Sequence, residues 1–206
     1  MSIITDAQPS PENSGQSVDA RDRADMERLQ AGQDTALNDL MERHATPVFH
    51  FLCRMVGNED DANDLAQETF VRVFKSSASF SLEQKFSSWL FTIAANLARN
   101  HFRWRARHPN VSLDAENPET EQTLGSTLPA NSPAPNDEAL TAERAKAVRT
   151  AVGKLPEDLR EAIVLCEWEE RSVAEAATIM ATTPKSVESR LYRARHVLRE
   201  RLKNWL

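Results

Sequence analysis

Thr182, Thr183 and Pro184 impose a boundary that little else in this chain can override. A threonine oxygen suits a helix N-cap, and proline at the first helical position loses no hydrogen bond, because its N–H would be unpaired there. A helix is therefore expected to start at Pro184. From that point Val187, Leu191, Ala194, Leu198 and Leu202 fall on one face of a 3.6-residue period. Upstream, Ala174, Ala176 and Ala177 are small enough to let a second helix approach closely. Ser172–Arg195 thus reads as two short helices meeting at a tight corner. The corner falls at Ala181, where glycine would take a left-handed backbone more easily. Lys185, Ser186, Ser189, Arg190, Arg193 and Arg199 fall on the opposite face. A helix-turn-helix with a basic, polar outer face suits a DNA major groove. An ordinary amphipathic helix pair with a solvated charged face is the plainer alternative.

The remainder is expected to be helical too. Glycine is scarce, no alternating strand pattern occurs, and Ala, Leu, Arg and Glu abound. The formal net charge of −6 argues against nucleic acid; its distribution argues for it. Residues 43–107 and 184–206 are net basic, whereas 1–42 and 108–142 are net acidic.

Residues 1–28 are polar, with Pro9, Ser10, Pro11, Asn13, Ser14, Gly15 and Ser17 close together, and are expected to be a disordered tail. A first helix should run from near Asp34, and Thr46-Pro47 should restart a second one. Gly57 should end that helix. Asn58 should cap the next, which carries Glu59, Asp60 and Asp61 in its first turn. On it, Ala62, Leu65, Ala66, Thr69 and Val73 face inward, and Asp64, Gln67, Glu68 and Arg72 face out. A polar loop, 76–85, precedes a helix from Phe86 to Arg107, whose expected buried stripe is Phe86, Trp89, Leu90, Ile93, Leu97 and Trp104. Asn96, Arg99, Asn100, Arg103 and Arg107 form a second stripe; its cations suit phosphates, and neighbouring aromatics suit bases. Residues 108–137 hold five prolines and no Lys or Arg, the composition of a flexible acidic linker. The expected architecture is all-α: two small helical domains, 29–107 and 138–206, on one tether, the second containing the helix-turn-helix.

Cys53 and Cys166 lie inside apolar helical runs and read as buried thiols. His44, His50 and Cys53 are close in sequence, but match no standard zinc-ligand spacing. No phosphate-binding glycine loop and no nucleophile–base constellation stands out, so neither an enzyme nor a cofactor is expected. No apolar run reaches membrane-spanning length, and a cytoplasmic location without membrane insertion is expected.

Asp64-Leu65-x-Gln67-Glu68-x-Phe70, Trp89-Leu90 with Ile93-Ala94, and Ser189-Arg190-Leu191-x-Arg193-Ala194-Arg195 together resemble the second and fourth regions of bacterial sigma-70 factors. The short form resembles their extracytoplasmic-function (group IV) branch, over residues 34–107 and 138–203. The resemblance implies that Asp64, Gln67 and Glu68 dock on the β′ subunit of core RNA polymerase. It implies that the 76–85 loop, with Phe80 and Lys85, holds a −10 base, and that Asn96, Arg99, Asn100 and Arg103 meet the −10 element. It places Lys185, Ser186, Glu188, Ser189, Arg190 and Arg193 on the −35 element. The linker would thread toward the polymerase active-site cleft and RNA exit path, and an anti-sigma factor would be a partner. Two departures stand out: Ser81 follows Phe80 where glycine is common, and Ala181 occupies the helix-turn-helix corner. Phe80 could alternatively be core. A rival reading is a helix-turn-helix transcriptional regulator with an N-terminal dimerisation or sensing domain, which leaves the basic-aromatic helix unexplained.

Overall fold

The computed structural model describes residues 12–108, 135–203 and 205, with side chains described from residue 18 and, in the second half, from residue 143. Among these residues the fold is helical without strands. The elements are α1 (Glu12–Gln30), α2 (Ala36–Val56), α3 (Glu59–Ser76), a 3₁₀ turn (Ser77–Ser79) and α4 (Phe86–Arg107). The second half comprises α5 (Pro135–Gly153), α6 (Glu157–Ile163), a π-helical turn (Val164–Trp168), α7 (Val173–Ile179) and α8 (Pro184–Arg201). Residues 109–134 of the expected linker lie outside the described residues; 135–137 already belong to α5.

The first correction concerns the N-terminal tail, expected to be disordered through residue 28. From Glu12 it is a helix, and α1 docks on α2. Met26 and Leu29 join the core, and Asp22 and Asp25 are buried. Arg43 Nε donates to Asp22 at 2.9 Å, and His44 Nε2 lies 2.9 Å from the same carboxylate. Arg28 donates to Asp25 at 2.8 Å and to Asp39 at 2.9 Å. Two apolar side chains are too few to announce a packed helix. The order comes from acids that find their cations on α2.

The second correction is Pro47. It does not restart a helix; α2 runs unbroken from Ala36 to Val56. An interior proline costs about 3 kcal/mol. Leu40, His44, Val48, Phe51, Leu52 and Met55 all face the core, so a break would separate buried residues on both sides of Pro47. Pro47 itself faces solvent.

Other boundaries follow local chemistry. Gly57 ends α2 in left-handed backbone at φ 77°. The Asn58 side chain accepts from Asp61 N at 2.9 Å. The α4 bounds agree with the expected helix, but its inner face includes Phe91, Ala94, Ala95 and Ala98, while Trp104 is exposed and stacks on His108, ring centroids 4.9 Å apart.

The two halves do not stand apart. α4 packs on α7, and α2 packs on α5, α6 and the π turn. The π turn places Glu169 beside Arg54 (3.2 Å). Arg171 follows it, over the Phe91 ring (4.6 Å), and donates to Ser87 at 3.0 Å.

Candidate nucleic-acid interface

α7 and α8 form the expected helix-turn-helix. Ser172 and Glu175 cap α7 reciprocally: Glu175 N donates to Ser172 Oγ (3.2 Å), and Ser172 N to Glu175 Oε2 (3.1 Å). Ala181 adopts φ 49° despite its Cβ, so the corner forms without glycine. Thr183 caps α8, its hydroxyl accepting from Ser186 N at 3.2 Å, with Pro184 in the first turn. Val187, Leu191 and Ala194 are buried, which turns the opposite face outward. Lys185, Glu188, Ser189 and Arg193 are exposed, and Ser186 and Arg190 are half-buried. Arg190 is tied to Asp158 of α6 at 3.3 Å. Tyr192, 75% exposed, continues the outer face; the periodicity contained it, but it was not singled out from the sequence.

On α4, Asn96, Asn100 and Arg103 are exposed and Arg99 is half-buried. Arg99 donates to Asn96 Oδ1 at 2.6 Å, and Arg103 to Asn100. Each Asn-Arg couple presents a guanidinium whose direction is fixed by its neighbour. Arg99 also bonds the Glu161 carboxylate of α6. Lys85 reaches Glu175 of α7 at 3.2 Å. Between these elements lies an open cleft of about 600 Å³, with Lys85, Ser88, Trp89 and Thr92 on one wall and Ser172, Glu175 and Thr178 on the other.

Phe80 does not line that cleft. Its ring is 5% exposed, with centroids 4.8 Å from Trp89 and 6.0 Å from Phe86. Gln30 of α1 donates to the carbonyls of Ser77 and Phe80, both at 2.9 Å. In this conformation the ring is a core side chain that anchors the loop from beneath, which corrects its expected place on the surface.

On α3, Asp64 and Gln67 are exposed and their expected common face is real. Glu68 pairs with Arg72 one turn on, at 2.8 Å. Val71 and Phe74, each 42% exposed, continue the stripe at helical spacing, an apolar extension that sequence reasoning left unassigned.

Burial, partly offset by Arg99, holds the Glu161 carboxyl above the usual carboxylate range, and burial also raises Glu169. Burial pushes Glu175 up as well, but hydrogen bonds from Ser172 and Lys85 outweigh it and leave it below its ordinary value. Burial raises the Cys53 thiol to about 11. The histidines and Cys53 of α2 are separated: His44 is turned to Asp22, His50 is exposed, and the thiol is half-buried. No described group of three or more His, Cys, Asp or Glu could hold a metal ion, and no described helix is long and apolar enough to cross a membrane.

Residues 40–108 match the family model "Sigma-70 region 2", and residues 145–198 match "Sigma-70, region 4". The chain is 32% identical over 180 residues to the extracytoplasmic-function RNA polymerase sigma factor SigW of Bacillus subtilis, covering 87% of this chain and 95% of that protein. The chain belongs to the sigma-70 family. It is 35% identical over 182 residues to the extracytoplasmic-function sigma-E factor of Haemophilus influenzae, covering 88% and 95%. Among solved structures, CnrH in complex with the cytosolic domain of CnrY superposes with a TM-score of 0.66 at 27% identity, over 89% of this chain and 98% of that one. In this sigma factor the region 2 match takes in α2 from Leu40 onward, α3 and α4, and the region 4 match takes in α7 and α8 as far as Leu198.

Proposed function

We infer that this sigma factor binds core RNA polymerase and directs it to the promoters of a particular set of genes, acting as a transcription initiation factor without chemistry of its own. One observation carries the reading: a single chain presents two separate basic faces, on α4 of region 2 and on α8 of region 4. α8 reads the −35 element, with Lys185, Ser186, Glu188, Ser189 and Arg193 in or near the major groove. Arg190 reaches DNA by exchanging Asp158 for a phosphate. On α4, Asn96, Arg99, Asn100 and Arg103, with Lys85 at its N-terminal end, meet the −10 element. Phe80 acts indirectly, by fixing the loop that borders the cleft. Asp64, Gln67 and Glu68 dock on the β′ subunit, and the apolar Val71 and Phe74 extend that contact.

An unstacked base costs a few kcal/mol, so opening requires a site that captures the extruded base. The cleft beside Trp89, with hydrogen-bonding groups on both walls, supplies the shape and chemistry for such a capture. CnrH is bound by CnrY in its complex, and we assign this chain a partner of the same kind, an anti-sigma factor, with the sigma factor itself in the cytoplasm.

In vitro transcription with purified core polymerase tests the reading. The expected result is promoter-specific initiation only when this chain is added. A helix-turn-helix regulator would instead bind its operator as a dimer without polymerase and would not confer initiation on core enzyme.

A further inference from the structure

Most hydrogen bonds of the 76–85 loop stay within the loop or reach back only to the last turns of α3. Ser77 Oγ donates to the Phe74 carbonyl and Ser79 Oγ to the Ser76 carbonyl, each at 2.8 Å, and Phe80 N donates to Ser77 O at 3.0 Å. A loop closed by such exposed, short-range bonds opens at little cost. Gln30 is different. It lies 47 and 50 positions before the two carbonyls it bonds, those of Ser77 and Phe80. Carbonyls only accept, so the side-chain amide must turn its NH2 group to them, one N–H to each. One side chain thereby fixes two points of the loop.

The mount is rigid. Gln30 is the last residue of α1, which Arg28 ties to Asp39 of α2 at 2.9 Å. Beyond it the chain is sealed by Gln33 N donating to Arg28 O at 3.0 Å. Met26 and Leu29 carry the packing of this end of α1, and Gln30 itself is exposed. A ligand that needs one shape of a loop binds more weakly in proportion to the fraction of time the loop spends out of that shape. A brace from outside the loop therefore raises affinity without touching the ligand.

We propose that Gln30 is a positioning residue for promoter opening: from α1 it presets the 76–85 loop in the shape that receives the −10 strand. The proposal rests on the −10 assignment of the loop made above. The bracing of the loop does not.

Gln30→Met tests it, because methionine keeps the length and the helix propensity, donates no hydrogen bond and adds no charge. Gln33→Met is the control, since Gln33 accepts from Arg28 at 3.2 Å. Hydrogen exchange of the full chain reads the amides of the loop and of α1. Holoenzyme assembled from core polymerase and each variant is titrated with a single strand carrying the nontemplate −10 sequence of a promoter mapped by the transcription assay. It is titrated separately with the −35 duplex. The expected result for Gln30→Met is faster exchange in the loop, unchanged exchange in α1, and affinity for the −10 strand about tenfold below the control, as for a competent fraction of about one tenth. Affinity for the −35 duplex should be the same in both variants. Unchanged exchange in the loop overturns the bracing and leaves the −10 assignment standing. Faster loop exchange with the control's −10 affinity overturns the positioning role and the loop's place on the −10 element together, as does a parent holoenzyme that ignores the −10 strand. An equal loss on both DNAs marks a general defect and overturns the proposal. If α1 also exchanges faster, Gln30→Ala is judged by the same readouts; if α1 loosens there too, Gln30 serves to dock α1 and the proposal fails.

Discussion

Replacing Phe80 with alanine separates a packing role from a base-binding role. The ring is 5% exposed and touches Phe86 and Trp89, so the substitution removes a nearly complete aromatic side chain from the core. Such changes cost about 3–5 kcal/mol through lost transfer free energy and the cavity left behind. Here the backbone has little freedom to collapse into the hole. Gln30 holds the carbonyls at Ser77 and Phe80, and α4 begins six residues after Phe80. The expected loss is therefore about 4 kcal/mol, or roughly 10–15 °C in melting temperature. Urea unfolding of the full chain, followed by circular dichroism, measures it. Transcription is then compared on a closed promoter and on one whose −10 bases are already unpaired. A core role leaves the variant equally defective on both templates at temperatures where it unfolds. A shift below about 1 kcal/mol, together with rescue by the pre-opened template, would refute the burial argument and return the ring to the DNA surface.

Asp22→Ala removes the buried carboxylate shared by Arg43 and His44, while Arg43 keeps Asp25, so it should cost about 1–3 kcal/mol in chemical denaturation; near-wild-type stability would mean that α1 does not dock in solution. Gln67→Ala with Glu68→Ala loses only the Glu68–Arg72 pair, worth about 0.3–0.5 kcal/mol, so melting should hardly move while competition for core polymerase weakens. Equal competition by variant and parent would remove this face from the polymerase contact. Cys53, with its pKa raised to about 11, should react with iodoacetamide much more slowly than a free thiol at pH 8, and its rate should climb as pH approaches that value. Its thiolate forms more readily in the unfolded chain than in the folded one, so this group subtracts stability as pH rises above its ordinary value. Rapid labelling at pH 8 under native conditions would contradict its burial.

The helix-turn-helix was legible from the sequence because its determinants are local. Thr183 and Pro184 start α8 through contacts within one turn, and the spacing of Val187, Leu191 and Ala194 selects its inner face. The same holds for Gly57, Asn58 and the bounds of α4. The motifs that carried the family resemblance mix outward residues, such as Asp64, Gln67 and Arg193, with core residues, such as Phe70, Leu90, Ala94 and Leu191. Four features depended on partners far away in the chain. α1 is ordered by Arg43 and His44, which no pattern within residues 12–30 reveals. α2 continues through Pro47 because buried residues on both sides share one core. Phe80 is buried because Gln30, Phe86 and Trp89 converge on it from α1 and α4. Arg99 looks like any basic surface residue until α6 brings Glu161 against it across 62 positions. Local chemistry thus determined which segments are helices and which of their faces are polar. Only the tertiary structure decided which polar groups meet one another, because a charge seeks the nearest opposite charge in space, without regard to its distance along the chain.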